Sequence, residues 1–413
     1  MSRKVCVVTA GHLSTCPRML KAADALHEAG YAVRVVSAVH TPWAFEADTR
    51  LAGTRQWKWR PVPYGRQYAF GAWLRSGVRH RVARAIATIS PQTAPGAIAA
   101  AAFARAHREL VTAVLEERAD LIYGGSTGAI AAAAEAGRRS GTPFGVDFED
   151  FHSDEQDPED DRLSNALGGP IMQLAARGAA FVTAGSAAIA RACADEFGIN
   201  AMAINNVFPL PSTPPAGREG QGRRALRLYW FSQTIGRNRG LEDIVRAVGL
   251  VGRPATLYLR GRPAGGYMST LEVYSAKAAP SLRIEVLPPS APDSMIDECR
   301  PFDVGISAEQ GHVRNRQLNL PNKALTYPLA GLPVALTDTA GQRPLADDLG
   351  EGALLFTPGD AESLAASLGR IVDDPRAMSR AREASWEAAK RRWHWEHPAE
   401  RGALLATIGR AIG

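Results

Sequence analysis

Short apolar, β-branched runs recur along this chain with a helix-length stretch between each and the next, and no other feature restricts its fold as much. Residues 4 to 9, KVCVVT, form the first run. A glycine-containing loop follows, then PRMLKAADALHEAGYAVRVVSA. There Leu20, Ala23 and Leu26 recur at helical spacing, Gly30 supplies a helix stop, and Val33 to Val36 make the next strand. The pattern returns in ADLIYGGSTGAIAAAAEAGRRSGTPFGVDFED and again in AAFVTAGSAAIARACADEFG. Strands separated by helices of about 10 to 15 residues predict parallel sheets with helices on both faces.

The alternation breaks at FPLPSTPPAGREGQGRR, which is rich in Pro and Gly and has no periodicity. It reads as a linker. Beyond it the pattern restarts with LRLYWFS, a helix from Leu241 to about Val251, ATLYLRG, LRIEVLP, FDVGIS and, after a helix expected over residues 323–330, a Gly-x-Pro turn into a strand. A chain of 413 residues exceeds what one core usually covers. The expected division is a domain over residues 1–207, a linker over 208–224, a second domain over 225–390 and a C-terminal helix over 391–413. Two doubly wound halves are expected to face a central cleft with the carboxyl ends of their strands, where such sheets bind ligands.

Composition narrows the function classes. Apolar residues at 46% and charged residues at 22% are ordinary for a globular protein and argue against disorder. Cys6, Cys16, Cys193 and Cys299 lie far apart with no CxxC pair, which argues against a zinc site and a disulfide framework and fits a reducing cytoplasm. MSRKVCVVTAG reads as a first strand rather than a signal peptide, and no stretch approaches the roughly 18 apolar residues of a membrane span. A net charge of +6 favours acidic small molecules or an anionic membrane surface, and would draw nucleic acid equally. The Arg-rich stretch RSGVRHRVARA, residues 75 to 85, could rest a helix on anionic lipid. The loop AGHLST after the first strand brings Gly11 to the cleft edge, where a residue without a side chain lets backbone amides approach a ligand. It is not the GxGxxG of dinucleotide enzymes. The acidic run from Asp147 to Asp161 contains ligand types in Asp150, His152, Asp154 and Glu155, but adjacent spacing in a loop is no metal pattern, so no metal site is expected.

Taken in order, these segments resemble the retaining, nucleotide-sugar-dependent glycosyltransferases of family four, which have the two-domain GT-B fold. PRMLKAADALHEAGYAVRVVS is similar to that family's first helix and second strand, DFHSDE to its Asp-x-His segment, and FVTAGSAAIARACADEFG to its strand and helix before the hinge. NRGLEDIVRAV is similar to its Lys/Arg-Gly-Leu donor-phosphate segment, and NLPNKALTYPLAGLPV to its Pro-x-Lys element. The resemblance spans nearly the whole chain and implies a C-terminal helix that returns to the N-terminal domain.

It also implies roles. The donor leaves as a nucleoside diphosphate, so negative charge grows on the β-phosphate, and the family generally manages it without a required metal, using cations and helix N-termini. Lys323 at a helix start and Arg239 before Gly240 are the expected cations. His152 matches the family histidine that hydrogen-bonds the transferred sugar. Glu309 in SAEQGH is similar to the first carboxylate of the family's paired-glutamate motif, although EGFG has become EQGH and the following loop carries Arg314 and Arg316. The second carboxylate, which grips the ribose diol, falls at Thr326 here. The implied activity is transfer of a sugar from a UDP- or GDP-type donor to a glycan, lipid-linked or small-molecule acceptor held by the N-terminal half, with retention of configuration. An inverting relative would need a base, for which His12 and Asp150 are candidates. A non-catalytic nucleotide- or partner-binding subunit and a sugar-nucleotide epimerase remain alternatives. The expected setting is cytoplasmic, with peripheral contact at the inner membrane face.

Overall fold

The computed structural model describes residues 2–155, 157–215 and 225–413. Residues 216–224 of the expected linker and Gln156 of the acidic run lie outside the described residues. Two compact α/β units emerge, the first comprising Met1–Asn205, Val313–Asn315 and Pro398–Gly413, the second Asn206–His312 and Arg316–His397.

In the first unit seven strands pair in parallel: β1 (Lys4–Thr9), β2 (Ala32–Val39), β3 (Lys58–Pro63), β4 (Leu121–Gly125), β5 (Phe144–Phe148), β6 (Phe181–Ala184) and β7 (Met202–Ala203). Their order is β3-β2-β1-β4-β5-β6-β7, so the winding reverses between β1 and β4. The central strands are largely apolar because both faces are covered; every residue of β4 and β5 is buried, Asp147 included. Helices α1 (Pro17–Glu28) and α2 (Phe70–Ile89) belong to this unit.

The second unit repeats the plan with six parallel strands: β8 (Leu226–Ile235), β9 (Ala255–Pro263), β10 (Leu282–Leu287), β11 (Val304–Ser307), β12 (Val334–Thr337) and β13 (Ala353–Phe356). Their order is β10-β9-β8-β11-β12-β13, with the reversal between β8 and β11. The helices that bear on function are α3 (Leu241–Val251), α4 (Arg314–Leu318, of which Arg316 onward lies in this unit), α5 (Asn322–Leu329) and α6 (Pro375–Arg391). Part of the stretch read as linker is packed: Phe208 is buried against Leu329 and Ala389, and Arg300 donates to the carbonyls of Thr213 and Pro214. Aromatic and proline surface supplies contacts there without any periodicity to announce them.

The C-terminal helix α7 (Ala403–Ile412) returns to the first unit, as the resemblance implied. The turn before it carries the fully buried Glu400, which accepts hydrogen bonds from the Asn205 backbone N–H at 2.6 Å and the Asn205 amide at 2.8 Å. Arg3 donates to the carbonyls of Ile412 and Gly413 at the helix end.

A buried ion pair pins the first unit. Arg18 on α1 reaches Asp147 on β5 through two hydrogen bonds of 2.6 Å, and also donates to the carbonyls of Ile204 and Ala184. Asp147 additionally accepts from Thr183, whose hydroxyl is 2.9 Å from that of Tyr123. Buried charges this well matched are costly to separate. Arg18→Ala is expected to destabilise the first unit by about 3–5 kcal/mol in urea unfolding of the intact chain, because Asp147 is left buried and unpaired. Joint Arg18→Met and Asp147→Leu replacement should recover most of that loss, since no unpaired charge remains.

Candidate functional site

In the second unit, four expected site residues come together beyond the carboxyl ends of β8 and β11, at the strand reversal. Arg239 and Gly240 lie between β8 and α3, Glu309 follows β11, and Lys323 stands in the first turn of α5. Local packing explains the convergence. Gly240 has φ +71° and lies so close to the Ala308 carbonyl that a Cβ there would sit 2.4 Å from its oxygen, so the chain before α3 can lie against the strand end that carries Glu309. Gln310 tightens this contact by donating to Asp243 on α3 at 2.6 Å. Helix α5 is held against β11 by Tyr327, which packs on Gly305, where a Cβ would lie 2.2 Å from the ring, and donates to the Ile306 carbonyl at 3.2 Å. That places Lys323 beside Glu309.

The site is a carboxylate surrounded by cations. Lys323 Nζ is 2.5 Å from Glu309 Oε1, and Arg316 on α4 is 3.0 Å from Oε2. Lys323 also stands 5.8 Å from the centre of the buried Trp230 ring. Burial alone would raise the Glu309 carboxyl, but Lys323, Arg316 and Arg239 outweigh it and hold it down at about 2. Lys323 is itself lowered, by burial and then by the like charges of Arg316 and Arg239, against the pull of Glu309. Arg239 is lowered by burial and by Arg316. Three cations facing one ionised carboxylate leave an excess of positive charge in a desolvated site, which suits an anion carrying more than one negative charge. Sequence reasoning noted Arg316 only as part of a basic loop. It lies midway between Glu309 and Lys323, seven residues from each, but the short helix α4 that aims it was not legible in the pattern.

Thr326 is fully buried on α5, and its hydroxyl donates back to the Asn322 carbonyl at 2.7 Å. That bond gives the hydroxyl proton to its own helix and leaves the oxygen as an acceptor only.

The first unit holds the remaining candidates. Gly11 follows β1, half-exposed, with its N–H 3.3 Å from the Thr9 hydroxyl. The neighbouring Ala10 N–H donates to Ser126 after β4, tying together the two loops at the β1–β4 reversal. His152, buried after β5, holds Glu155 through Nδ1 at 2.6 Å, while its buried Nε2 has no hydrogen-bond partner among the described residues. Burial would lower this histidine; Glu155 reverses the effect and leaves it raised. His12 is not available as a base. Its Nδ1 lies 2.8 Å from Asp48, and its Nε2 accepts from the backbone N–H of Thr41 at 3.1 Å, so both nitrogens are committed to the loop. Asp150 accepts from Asn315 at 2.8 Å. Beside it the partly buried Glu149, overlooked in the sequence, is pushed up to about 7 by desolvation and then by Asp150. Successive carboxylates after a strand, DFED, were the available signal. No group of three or more His, Cys, Asp or Glu able to hold a metal occurs among the described residues.

No protein-family model and no curated protein matches this sequence. Solved structures do. HepE of Anabaena, in complex with UDP and glucose, matches with a TM-score of 0.70 at 16% identity, covering 99% of each chain. A TarM variant of S. aureus, in complex with Fondaparinux, alpha-GlcNAc-glycerol and UDP, matches at 0.67 with 9% identity over the full length of both chains. Sucrose-phosphate synthase of Thermosynechococcus elongatus matches at 0.65 with 12% identity, again over both full lengths. The chain shares with them the GT-B fold, built of two Rossmann-like α/β domains.

Two outcomes test the geometry. Glu155→Gln is expected to bring the His152 pKa down from its raised value, read by proton NMR of the ring during a pH titration. In the wild type the stability that His152 gains from Glu155 is fully present below the ordinary histidine value of about 6.5 and is lost as pH rises through the raised one. Thr326→Glu is expected to lower the melting temperature without tightening nucleotide binding, because it places a carboxylate at a position with no exposure.

Proposed function

We propose that this chain is a glycosyltransferase that moves a sugar from a nucleoside-diphosphate donor to an acceptor, with the second unit holding the donor and the first the acceptor. The carrying observation is the cation excess at Glu309, Lys323, Arg316 and Arg239. In the reaction the bond from the anomeric carbon to the β-phosphate oxygen breaks and charge moves onto the diphosphate. Lys323 and Arg239 are assigned to that charge, stabilising it more in the transition state than in the ground state. Glu309 is assigned to the hydroxyls of the transferred sugar, exchanging its ion pairs for them as the diphosphate takes the cations. His152 is assigned a hydrogen bond to a sugar hydroxyl through its unpartnered Nε2, and Gly11 is assigned to the approach of backbone amides to a ligand. Support for a nucleotide-sugar donor comes from HepE and TarM, which share the fold and were solved with UDP.

The finer reading is a retaining enzyme of the family-four type, in which the leaving phosphate takes the acceptor proton. It is favoured by the commitment of both His12 nitrogens. An inverting course would turn instead on Glu149, held near 7 where a general base operates. The anomeric configuration of the product, read by NMR, separates the two, and a product still joined to nucleotide would indicate an epimerase. The proposal carries a cytoplasmic setting, drawn from the scattered cysteines, and requires no metal. No helix among the described residues is long and apolar enough to cross a membrane.

A thermal-shift panel of sugar nucleotides is the direct test, because a donor that binds the folded chain stabilises it. Lys323→Ala and Arg239→Ala are each expected to lower turnover at least about tenfold with the fold intact, and Arg316→Ala to weaken diphosphate binding. Turnover should survive chelation of divalent ions. Full activity in both the Lys323 and Arg239 variants would overturn the site assignment.

A further inference from the structure

Helix α2 is amphipathic in the reverse of the usual sense. Its buried positions are the small residues Ser76, Ala83 and Ala87, while Phe70, Leu74, Val78, Val82, Ile86 and Ile89 face outward with exposures between 44% and 85%. At about 100° per residue, the first five of these advance about 40° at each step of four. They sweep a broad face on the side away from Ser76, Ala83 and Ala87. An ordinary surface helix buries such residues and shows its polar ones. Of the large apolar side chains exposed on the described chain, most fall on this one helix, and Trp43 and Tyr68 are also in the first unit. A continuous apolar face of this kind marks something that covers it.

The charges decide what. The helix carries Arg75, Arg79, Arg81 and Arg84 and no acidic residue. Arg79 and Arg84 are turned back to the protein, paired with Glu109 at 2.5 Å and Asp161 at 2.7 Å. Arg75 and Arg81 are exposed, and the helical spacing puts them near the two edges of the apolar face. A second copy of this chain would bring arginine against arginine with no carboxylate on the helix to answer it. A bilayer with anionic headgroups answers both features at once: acyl chains accept the apolar side chains, and phosphates accept the arginines.

We infer that α2 is an interfacial anchor that lies flat in an anionic bilayer surface, with Leu74, Val78, Val82 and Ile86 inserted and Arg75 and Arg81 at headgroup level. The sequence pointed to the arginines of this stretch as the contact. The structure shifts the weight to the apolar face, so binding depends on insertion and takes its lipid preference from charge. The inference stands apart from the transferase reading, because no donor or acceptor enters its test.

Sedimentation of the full chain with vesicles of phosphatidylcholine alone, or mixed with phosphatidylglycerol, gives that test. The wild type is expected to pellet with the mixed vesicles and much less with the neutral ones. Joint Val78→Glu and Val82→Glu replacement, at exposed positions that leave the core untouched, should weaken binding at least about tenfold. Joint Arg75→Gln and Arg81→Gln replacement should remove the preference for phosphatidylglycerol. Unchanged thermal melting would show that these variants remain folded. The inference is overturned if the wild type pellets with neither vesicle, if it binds both equally, or if the paired glutamates bind as the wild type does. It is equally overturned if sedimentation velocity without lipid shows a dimer that the paired glutamates dissociate, since a second copy would then be what covers the face.

Discussion

Parallel pairing is the constraint from which the rest of the structure follows. Two parallel strands cannot be joined by a hairpin, so each connection must cross a face of the sheet, and every strand then delivers its carboxyl end to the same edge. Where the winding reverses, the loops leaving two neighbouring strands diverge to opposite faces and leave an opening. This chain has two such reversals, between β1 and β4 and between β8 and β11. Gly11 follows β1, His152 and Glu149 follow β5, Arg239 follows β8, Glu309 follows β11, and Lys323 opens the helix leading to β12. Within each unit the topology brings its candidates to one sheet edge.

Two buried ion clusters show how charge can be used in different ways within one fold. Around Asp147 the charges are matched one to one: Arg18 meets both carboxylate oxygens and donates twice more to backbone carbonyls. Around Glu309 they are not. Lys323, Arg316 and Arg239 exceed what a single carboxylate can neutralise, and the depression of Lys323 and Arg239 reflects burial first and then that mutual repulsion. A site of the first kind stabilises a fold, and removing one partner is expected to damage it. On the donor reading, a site of the second kind is held under repulsion that an arriving anion relieves.

The sequence made the sheets legible because strands buried on both faces must be largely apolar, as KVCVVT shows, with Asp147 in FGVDF an exception that Arg18 answers. It made Lys323, Arg239 and Glu309 legible through loop positions and the family resemblance. It failed where the outcome turns on which way a side chain points within a turn of helix. Thr326 stands one turn after Lys323, as a ribose-binding residue would, yet its hydroxyl bonds backward to Asn322. Arg316 lies on a five-residue helix too short to leave a periodic signature. His12 carries the residue type of a base, but Asp48, thirty-six residues away, fixes its ring, and no local pattern records that contact.

The departures from the pattern that the sequence resembles share a direction. Threonine in place of a carboxylate removes a negative charge, and Arg316 beside Glu309 adds a positive one. On the donor reading, both changes shift recognition from the ribose hydroxyls toward the diphosphate. A neutral diol is held by directional hydrogen bonds that a carboxylate supplies, whereas a diphosphate is held by charge, which in a desolvated site acts with less demand on geometry. The cation cluster therefore need not distinguish one nucleoside from another to hold the leaving group. Selectivity for the base and the sugar must then come from groups outside it, which is consistent with a fold that accommodates differing donors around a common phosphate-binding edge.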